Sequence, residues 1–493
     1  MGSPTNDLLV RIDPRAGIGL QEQIYASIRH AILNGVVAPG ARVPSSRDLA
    51  LDLGVSRTTS LLALDRLLAE GYLEARRGSG TFVARELPDD LPRPPRETPR
   101  SRSAHPPLSR RGEALAASQP GARRVGGPPR AFRIGTPAVD LFPVEVWTKL
   151  SGRRLRLITP SQLDYCEPAG FEALREAIAG HVAKARGTRC EPDQVFVTAG
   201  AQRALDVLCR LLLDPGDDAW MEEPGYPGAH NALVAAGARI HPVRVDSGGL
   251  DVRAGARRAP RARLVYVTPS HQFPLGAPMS LARRLALLRW ASAAGAWVLE
   301  DDYDAEFRYG APPIPCLHGL DADGRVIYLG TFSKTLFPSL RLGFMIVPLD
   351  LRERFLAVRR GTEANPPMLE QMVLADFMRE GSFERHLRRL RVAYRERLEA
   401  LAEAVRRRCG GALRLHSTRT GLHAVADLEG ADARRVFEEA AARGVEVMPL
   451  SAYYYGRGAQ RNALVLGFGS VRPDAIEDGM RRLASAIEAA RAG

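Results

Sequence analysis

The chain has 493 residues, a net charge of +13 at pH 7 and an apolar content of 45%. The length predicts about two to three domains, and no uninterrupted apolar run reaches the roughly 20 residues of a membrane-spanning helix. The five cysteines are odd in number and lack the spacing of metal ligands, which argues against a disulfide framework or a zinc site. The N-terminus shows no basic and then apolar signal, so we expect the protein in the cytoplasm, with no membrane partner.

Residues 1–85 are predicted to form a compact helical domain. Nearly half of the positive excess lies in the first 130 residues, which is where a polyanionic partner would bind. Apolar side chains at every fourth position from Leu20 to Ile32 predict one helix. Ser45 or Ser46 can cap a second helix that continues to Leu53.

A third helix is predicted after a tight turn at Gly54. Ser56 can cap this helix, which should continue to about Glu70. Its inward-facing side chains are predicted to be Leu61, Leu64 and Leu68. The segment Tyr72–Val83 then predicts a two-stranded hairpin with a basic, Gly-rich tip. This spacing is typical of a helix-turn-helix, whose second helix presents its N-terminal residues to the major groove of DNA.

The pattern Pro-Ser-x-Arg-x-Leu-Ala at 44–50, followed by Gly-Val-Ser-Arg-Thr-Thr at 54–59, resembles the winged helix-turn-helix of the GntR superfamily. The resemblance implies a double-stranded DNA partner, and it implies contacts from Arg47, Ser56, Arg57, Thr58 and the wing at Gly80. Arginine is suited to guanine edges and phosphates. The alternative is a winged helix that binds another protein and whose arginines are only solvated. Basic and hydroxyl residues at the start of the recognition helix favour DNA.

Residues 86–130 are predicted to be a Pro/Arg-rich flexible linker. Segments such as Leu91–Arg96 and Gly126–Pro129 contain few large apolar residues. Such a composition cannot bury enough surface to offset the entropy of ordering, and its prolines favour extended conformations.

Residues 131–493 are predicted to form an α/β domain with a mostly parallel sheet. Short apolar runs at 194–198, 263–268, 297–300 and 326–329 alternate with amphipathic stretches such as Ala201–Leu213. Buried strands that alternate with helices indicate a sheet covered on both faces. Ligands bind at the carboxyl ends of the strands in such sheets.

Four segments in this domain carry side chains or backbone groups that can bind or react with a ligand. Lys334, one of only three lysines in the chain, follows an apolar run together with Ser333. Lysine offers a primary amine that can condense with an aldehyde, although an ordinary surface lysine is the simpler interpretation. Arg341 is suited to bind a phosphate with two hydrogen bonds. The segment Val197–Leu205 joins a strand to a helix start, where backbone N–H groups can bind a phosphate.

The other two segments carry an aromatic residue and a carboxylate cluster. Tyr226 lies in a predicted turn, where it could stack on a planar ring or merely pack. The run Trp297–Asp304 ends a buried strand in several carboxylates. A deeply placed carboxylate needs a cation, which a protonated pyridine nitrogen would supply. The alternative is a solvated acidic loop.

Taken in this order and spacing, these segments resemble the fold-type I, class I aminotransferases, including the segment Tyr165–Gly170. The resemblance implies pyridoxal 5′-phosphate (PLP) as the cofactor. It implies Lys334 as the internal aldimine, Asp301 paired with the pyridine nitrogen, Tyr303 bonded to the ring hydroxyl and Tyr226 stacked on the ring. It also implies a phosphate held by the backbone N–H groups of Ala201 and Gln202, by Ser333 and by Arg341.

A GntR-type winged helix, a linker and an aminotransferase-like domain in one chain resemble the MocR/GabR family of transcriptional regulators. The segment Pro269–Gly276 is close to a motif of that family. The resemblance implies a homodimer whose aminotransferase-like domain senses PLP itself or an amine effector that reacts with it. Two alternatives are a functional aminotransferase with a fused DNA-binding domain, and a GntR regulator whose second domain is only a dimerisation scaffold.

Two departures from a working aminotransferase argue against catalysis. Those enzymes usually carry Asn before Pro as a partner of the ring hydroxyl, where this chain has Phe273. They also usually carry an Arg that binds the substrate carboxylate, where this chain reads Ala463–Phe468 without arginine. The chain also lacks an arginine directly after Tyr226, which argues against a GABA effector.

Overall fold

The computed structural model describes residues 10, 12–14, 16–76, 78–88, 108–118, 130–188, 190–309, 315–362, 367–416 and 420–492. The chain divides into two compact units, residues 1–107 and residues 108–493, each described by itself below. None of the described helices combines the length and the apolar character of a membrane span.

The first unit is a three-helix domain with a small antiparallel sheet. Its elements are α1 Leu20–Leu33, β1 Arg42–Val43, α2 Ser46–Leu53, α3 Arg57–Ala69, β2 Leu73–Arg76 and β3 Gly80–Val83. The sheet has the order β1-β3-β2, so the predicted hairpin gains a third strand from the segment before α2. The predicted stripe on α1 forms the core through Ile24, Ile28 and Ile32, all buried.

Serine caps position the two helices of the helix-turn-helix. The Ser45 hydroxyl accepts from the Asp48 backbone N–H at 3.2 Å, and the Ser56 hydroxyl accepts from that of Thr59 at 3.1 Å. Each bond satisfies an N–H that has no partner within its own helix. The prediction that Leu61 faces inward is wrong, because this residue is 42% exposed. The buried face of α3 consists of Ser60, Ala63, Leu64 and Leu67, at the i, i+3, i+4, i+7 spacing of one helix side.

The second unit contains fourteen α-helices and twelve strands among its described residues. The helices are α4 Arg110–Ala117, α5 Val144–Leu157, α6 Pro160–Leu163, α7 Glu172–Arg186, α8 Ala201–Leu212, α9 Pro227–Ala236, α10 Val252–Arg258, α11 Leu281–Ala294, α12 Leu317–Leu320, α13 Leu349–Thr362, α14 Met368–Arg379, α15 Ser382–Cys409, α16 Ala433–Ala442 and α17 Pro473–Ala492. The strands are β4 Val195–Thr198, β5 Asp218–Glu223, β6 Arg239–Asp246, β7 Gly249–Leu250, β8 Leu264–Val267, β9 Trp297–Asp301, β10 Val326–Thr331, β11 Gly343–Ile346, β12 Leu413–Leu415, β13 His423–Leu428, β14 Met448–Pro449 and β15 Ala463–Gly467.

The large sheet has the order β4-β11-β10-β9-β8-β5-β6-β7. Its central strands are parallel, while β11 runs antiparallel to both of its neighbours and β7 runs antiparallel to β6. The predicted α/β fold with a mostly parallel central sheet is therefore confirmed. Because β4, β10, β9, β8 and β5 point the same way, the turns that follow them share one edge of the sheet.

A smaller antiparallel sheet of order β12-β13-β15-β14 lies in the C-terminal part of the unit. The segment at 131–135 contacts this sheet, because the Phe132 carbonyl accepts from the Gly467 backbone N–H at 2.9 Å. The Ala131 carbonyl accepts in the same way from Glu446 at 2.9 Å. The first residues after the predicted linker are thus bound to the last third of the chain.

The predicted linker at 86–130 falls mostly on residues 89–107 and 119–129, which lie outside the described residues. Between those two stretches the structure contains helix α4, which the sequence analysis did not predict. Ser109 caps this helix by accepting from the Gly112 backbone N–H at 3.1 Å. The helix packs on α9, with Arg111 beside Gly237, so it belongs to the second unit.

Candidate cofactor-binding site and DNA-binding surface

The first helix turn of α8 lies beside the turn that follows β10. This proximity follows from the sheet register, in which Gly343 of β11 is paired with both Thr331 and Thr198. A Cβ atom on Gly343 would lie 3.2 Å from the Ala201 backbone nitrogen. The N-cap residue of α8 is a glycine, and no side chain caps the helix. The N–H groups of Ala201 and Gln202 therefore stand at a positive helix end that no side chain caps.

Arg341 reaches the same helix start from the other side. A Cβ atom on Gly200 would lie 3.7 Å from the guanidinium carbon of Arg341. Arg341 itself has a φ of 52°, in the left-handed region that non-glycine residues rarely occupy. Ser333 lies in the turn after β10, where its backbone N–H donates to the Thr331 hydroxyl at 3.2 Å. Backbone N–H groups and a guanidinium thus converge on one corner, beside the turn that carries Ser333, as phosphate binding requires.

Lys334 follows Ser333 and its side chain is partly buried. Its Nζ donates to the Gly135 carbonyl at 2.6 Å. A Cβ atom on Gly135 would lie only 3.0 Å from that Nζ, and Gly135 has a φ of 76°, so glycine is required for this approach. Asp301 and His423 are close enough for the charge of the Lys334 ammonium to act on them. This charge opposes a rise in the pKa of Asp301 and adds to the lowering of the pKa of His423.

Asp301 ends β9 and is 4% exposed. Its Oδ2 accepts from the Tyr266 hydroxyl at 2.7 Å, whereas its Oδ1 has no hydrogen-bond partner among the described residues. Burial raises the pKa of Asp301 to about 7, against the hydrogen bond from Tyr266. A protonated pyridine nitrogen would supply the missing donor and a compensating charge. The residues present therefore fit PLP at this position.

An aromatic wall lines the pocket next to these groups. Tyr226 meets Phe273 edge to face at 5.6 Å between ring centroids, and Phe273 meets Tyr303 in the same way at 6.1 Å. The Gln202 side chain lies beside Tyr226 and donates to the Gly228 carbonyl at 2.8 Å. The structure thus brings all eight predicted cofactor residues to the carboxyl edge of the large sheet, and it places Phe273 among them.

Sequence reasoning missed several buried polar residues at this edge. Glu222 is fully buried, accepts from Thr268 and Gln272, and has its pKa raised to about 7 by burial. His271 and Asp304 form a buried hydrogen-bonded pair beside Tyr303 and His423. His271 and Gln272 stand in the segment Pro269–Gly276, whose family likeness was noted without a role for either residue. Nothing in the sequence around His423, on β13 of the smaller sheet, predicts that this residue lies at this edge.

The predicted DNA contacts all belong to the first unit. Arg47, Ser56, Arg57, Thr58 and Gly80 are all exposed. Neither arginine side chain has a hydrogen bond or an ion pair within the described part of that unit. Arg57 is the first residue of α3, where the positive end of the helix disfavours a cation unless an anion binds there. Arg42, which the sequence analysis missed, lies against the wing, because a Cβ atom on Gly80 would be 3.0 Å from its Nε.

Comparisons with known proteins assign both units. The family described as "Aminotransferase class I and II" matches residues 132–464, and "Bacterial regulatory proteins, gntR family" matches residues 20–83. The probable rhizopine catabolism regulatory protein MocR of Rhizobium meliloti is 42% identical over 97% of this chain and 95% of its own length. The pyridoxine biosynthesis transcriptional regulator PdxR of Corynebacterium glutamicum is 33% identical over 98% of this chain and 99% of its own length.

Among solved structures, an alpha-aminoadipate aminotransferase from Thermus thermophilus is 30% identical, with a TM-score of 0.67 over 78% of this chain and 96% of that one. That enzyme was crystallised with N-(5′-phosphopyridoxyl)-L-leucine. The fold and the site therefore define a GntR-type DNA-binding domain joined to a fold-type I aminotransferase domain. With this architecture along its whole length, the chain belongs to the MocR/GabR family of transcriptional regulators.

Proposed function

We propose that this protein is a sequence-specific DNA-binding regulator that binds PLP in its aminotransferase domain and responds to PLP or to an amine that reacts with it. The buried Asp301 oxygen without a hydrogen-bond partner carries the cofactor part of this proposal. A buried carboxylate that lacks a donor is costly, and a cationic ring nitrogen offsets that cost.

The residues of the pocket divide the work of holding the cofactor. When bound, PLP supplies an aldehyde that condenses with primary amines. Lys334 offers the amine, Asp301 fixes the protonation of the ring nitrogen, and Tyr226 with Phe273 excludes water from one side of the ring. The N-terminus of α8, Ser333 and Arg341 hold the phosphate.

The pocket supports an effector that lacks the carboxylate of a standard amino acid. The segment Ala463–Phe468, where aminotransferases usually carry the carboxylate-binding arginine, is buried and contains no arginine. An amino acid whose carboxylate is not bound by an arginine is poorly oriented for proton removal. A relative named as a regulator of pyridoxine biosynthesis supports PLP itself as the signal.

Exposed apolar side chains support a homodimer. They lie at 139–165 and comprise Val139, Val144, Val146, Leu155, Leu157, Leu163 and Tyr165. A soluble protein rarely leaves so many large apolar side chains exposed in one segment, and such surfaces mark protein interfaces. A two-fold dimer would also present two recognition helices to a palindromic operator.

A functional aminotransferase is the second candidate, because a transaminase from Thermus thermophilus is 32% identical over 73% of this chain. That candidate predicts many turnovers from an amino donor to a keto acceptor. A single half-reaction, or none, would exclude it.

The proposal is tested by measuring binding to the DNA upstream of the protein's own gene, with and without PLP, for wild type and for Lys334→Ala. Wild type should show the visible absorbance of bound cofactor and a several-fold change in DNA affinity on adding PLP or a responsive amine. Lys334→Ala should bind DNA, lose the label that borohydride fixes on the lysine, and lose the response. Lys184→Ala, which removes an exposed lysine, is the control. A wild type without visible absorbance, whose DNA binding ignores PLP, would leave the second domain as a dimerisation scaffold.

A further inference from the structure

A buried hydrogen-bonded cluster lies directly behind Tyr303. His271 Nδ1 is 2.9 Å from Oδ2 of Asp304 and 3.0 Å from the hydroxyl oxygen of Tyr303. The side chains of His271 and Asp304 are each 1% exposed. His423 faces His271 with 4.9 Å between ring centroids. None of these three residues has a role in the proposed binding of the cofactor.

The chemistry of the partners determines where the proton on His271 resides. An ionised carboxylate only accepts hydrogen bonds, so Nδ1 beside Asp304 must carry the hydrogen. Burial raises the pKa of Asp304, and His271 opposes that rise. The hydrogen on Nδ1 is favoured over one on the buried Nε2, because a hydrogen on Nε2 would have no acceptor among the described residues.

The neighbours of His271 agree with this assignment. His423 Nε2 lies 3.0 Å from the Pro274 carbonyl, which only accepts, so this nitrogen carries the hydrogen. Burial lowers the pKa of His423 well below its usual value, so His423 is neutral. Gly421 closes over the pair, since a Cβ atom there would lie 2.0 Å from His271 Cε1 and 2.6 Å from Asp304 Oδ2.

A hydrogen on Nδ1 has a consequence for Tyr303. Nδ1 can then no longer accept from the tyrosine, so the Tyr303 proton turns away from His271, and the tyrosine oxygen shares the Nδ1 hydrogen with Asp304. Burial and the nearby carboxylates hold the pKa of Tyr303 well above 10, so the hydroxyl remains a donor. Phe273, which also meets Tyr226, packs edge to face on the Tyr303 ring at 6.1 Å between centroids.

We propose that Asp304 and His271 are positioning residues that direct the Tyr303 hydroxyl proton into the pocket, toward the ring oxygen of bound PLP. This inference rests on the proposed binding of PLP. By fixing the donor direction, the pair sets how strongly Tyr303 stabilises negative charge on that oxygen.

A metal ion is the competing use of this cluster. His271, Asp304 and His423 could each offer one ligand atom, and these atoms lie within 4.8 Å of one another. The hydrogen bonds described above already occupy His271 Nδ1 and His423 Nε2. An ion would have to bind through the other ring nitrogens, such as the Nε2 of His271, and the EDTA arm of the test distinguishes that use.

The test is a pH titration of the visible absorbance of the full-length protein loaded with PLP. Weaker donation from Tyr303 leaves negative charge on the ring oxygen less stabilised, so the bound group keeps its proton to higher pH. His271→Phe should raise the titration midpoint by about one pH unit, a tenfold change in the protonation equilibrium, toward the midpoint of Tyr303→Phe. In the double variant, His271→Phe should add nothing to Tyr303→Phe.

Asp304→Asn is the isosteric variant that guards against a simple packing defect. An amide N–H next to Nδ1 reverses the direction of the hydrogen bond, so Nδ1 becomes an acceptor for Tyr303. The midpoint should then rise as it does in His271→Phe. His416→Phe, at a histidine that pairs with Asp427 on the smaller sheet, should leave the midpoint unchanged.

The outcomes separate the inference from the proposal beneath it. A wild type without visible absorbance overturns both. A wild type with the absorbance, but with a midpoint that His271→Phe and Asp304→Asn leave unmoved, overturns the inference alone. Additive shifts in the double variant do the same. If EDTA moves the wild-type midpoint as His271→Phe does, the cluster holds a metal ion and the positioning role is wrong.

Discussion

The DNA-binding surface and the cofactor pocket are built in opposite ways. Four of the five predicted DNA contacts lie within twelve consecutive positions, at 47–58, and all five are exposed. The pocket draws on seven separate segments from Gly135 to His423, and its key carboxylates are buried. One surface depends on local sequence, whereas the other depends on the order of strands in a sheet.

This difference shows where each part is vulnerable. Removing an exposed side chain from the first unit should change DNA affinity and leave folding nearly untouched. In the second unit, Asp301, Glu222 and Glu300 are all buried, with pKa values raised to about 7. A substitution there alters binding and stability together, because the same desolvation governs both.

The largest expected effect comes from Asp301→Asn. The neutral amide cannot compensate the charge of a protonated ring nitrogen, so PLP binding should weaken by about 3 kcal/mol. Titration of the cofactor absorbance at pH 8 measures this loss. Asp206→Asn, at a partly exposed ion pair on α8, is the matched control and should bind PLP normally. Unchanged PLP affinity in Asp301→Asn would contradict the assigned position of the ring nitrogen.

The same variant should change the pH dependence of stability. The folded-state pKa of Asp301, about 7, lies above its ordinary value of 3.8. The protonated carboxyl group is therefore more stable in the folded protein than in the unfolded chain. This contribution to the free energy of unfolding is lost as the pH rises through 7. Between pH 6 and pH 8 this group should cost the cofactor-free wild type about 1 kcal/mol. Asp301→Asn should lack this loss of stability, whereas the losses caused by Glu222 and Glu300 should remain. If thermal unfolding shows that wild type and Asp301→Asn lose the same stability between pH 6 and pH 8, the raised pKa of Asp301 is wrong.

Arg57→Ala should have a smaller effect, confined to DNA. If Arg57 reads a base edge, specific binding should fall by about 1–3 kcal/mol and discrimination at one operator position should relax. Arg406→Ala, on the exposed face of α15, removes the same charge and should leave DNA binding intact. A uniform loss across all DNA sequences, with a reduced salt dependence, would make Arg57 a phosphate contact.

The smallest effect separates capping from recognition. Ser45→Ala and Ser56→Ala should each destabilise the first unit by about 1 kcal/mol, because each removes a helix cap. Only Ser56→Ala should also weaken specific DNA binding. Chemical denaturation paired with DNA titration distinguishes the two. Equal DNA affinity in both variants would leave Ser56 as a cap alone.

The two units also differ in how far the sequence predicts them. Caps, turns and periodicity are local, so Ser45, Ser56 and the wing were predictable from neighbouring residues. Leu61 was assigned to the wrong side because leucine identity outweighed helical spacing. Helix α4 was not predicted because it lies within a Pro- and Arg-rich stretch, whose composition is typical of a flexible linker.

The pocket was predictable only as a set of separate pieces. The resemblance placed Lys334, Asp301 and Arg341 at strand ends, and the sheet order brought them together. His423 could not have been found, because nothing near it in the sequence indicates that β13 passes behind Tyr303. Burial, which raises the pKa of Asp301 and Glu222, is a property of the whole fold and not of any segment.

The contact between Lys334 and the Gly135 carbonyl joins two parts of the second unit mechanically. The segment at 131–135 is bound at one end to the smaller sheet through Gly467 and Glu446, and at its other end to the turn after β10 through the lysine. It thus links the two sheets, which also meet where His423 faces His271. A bond from the lysine nitrogen to another group would remove the hydrogen bond at one end of this link and free the Gly135 carbonyl.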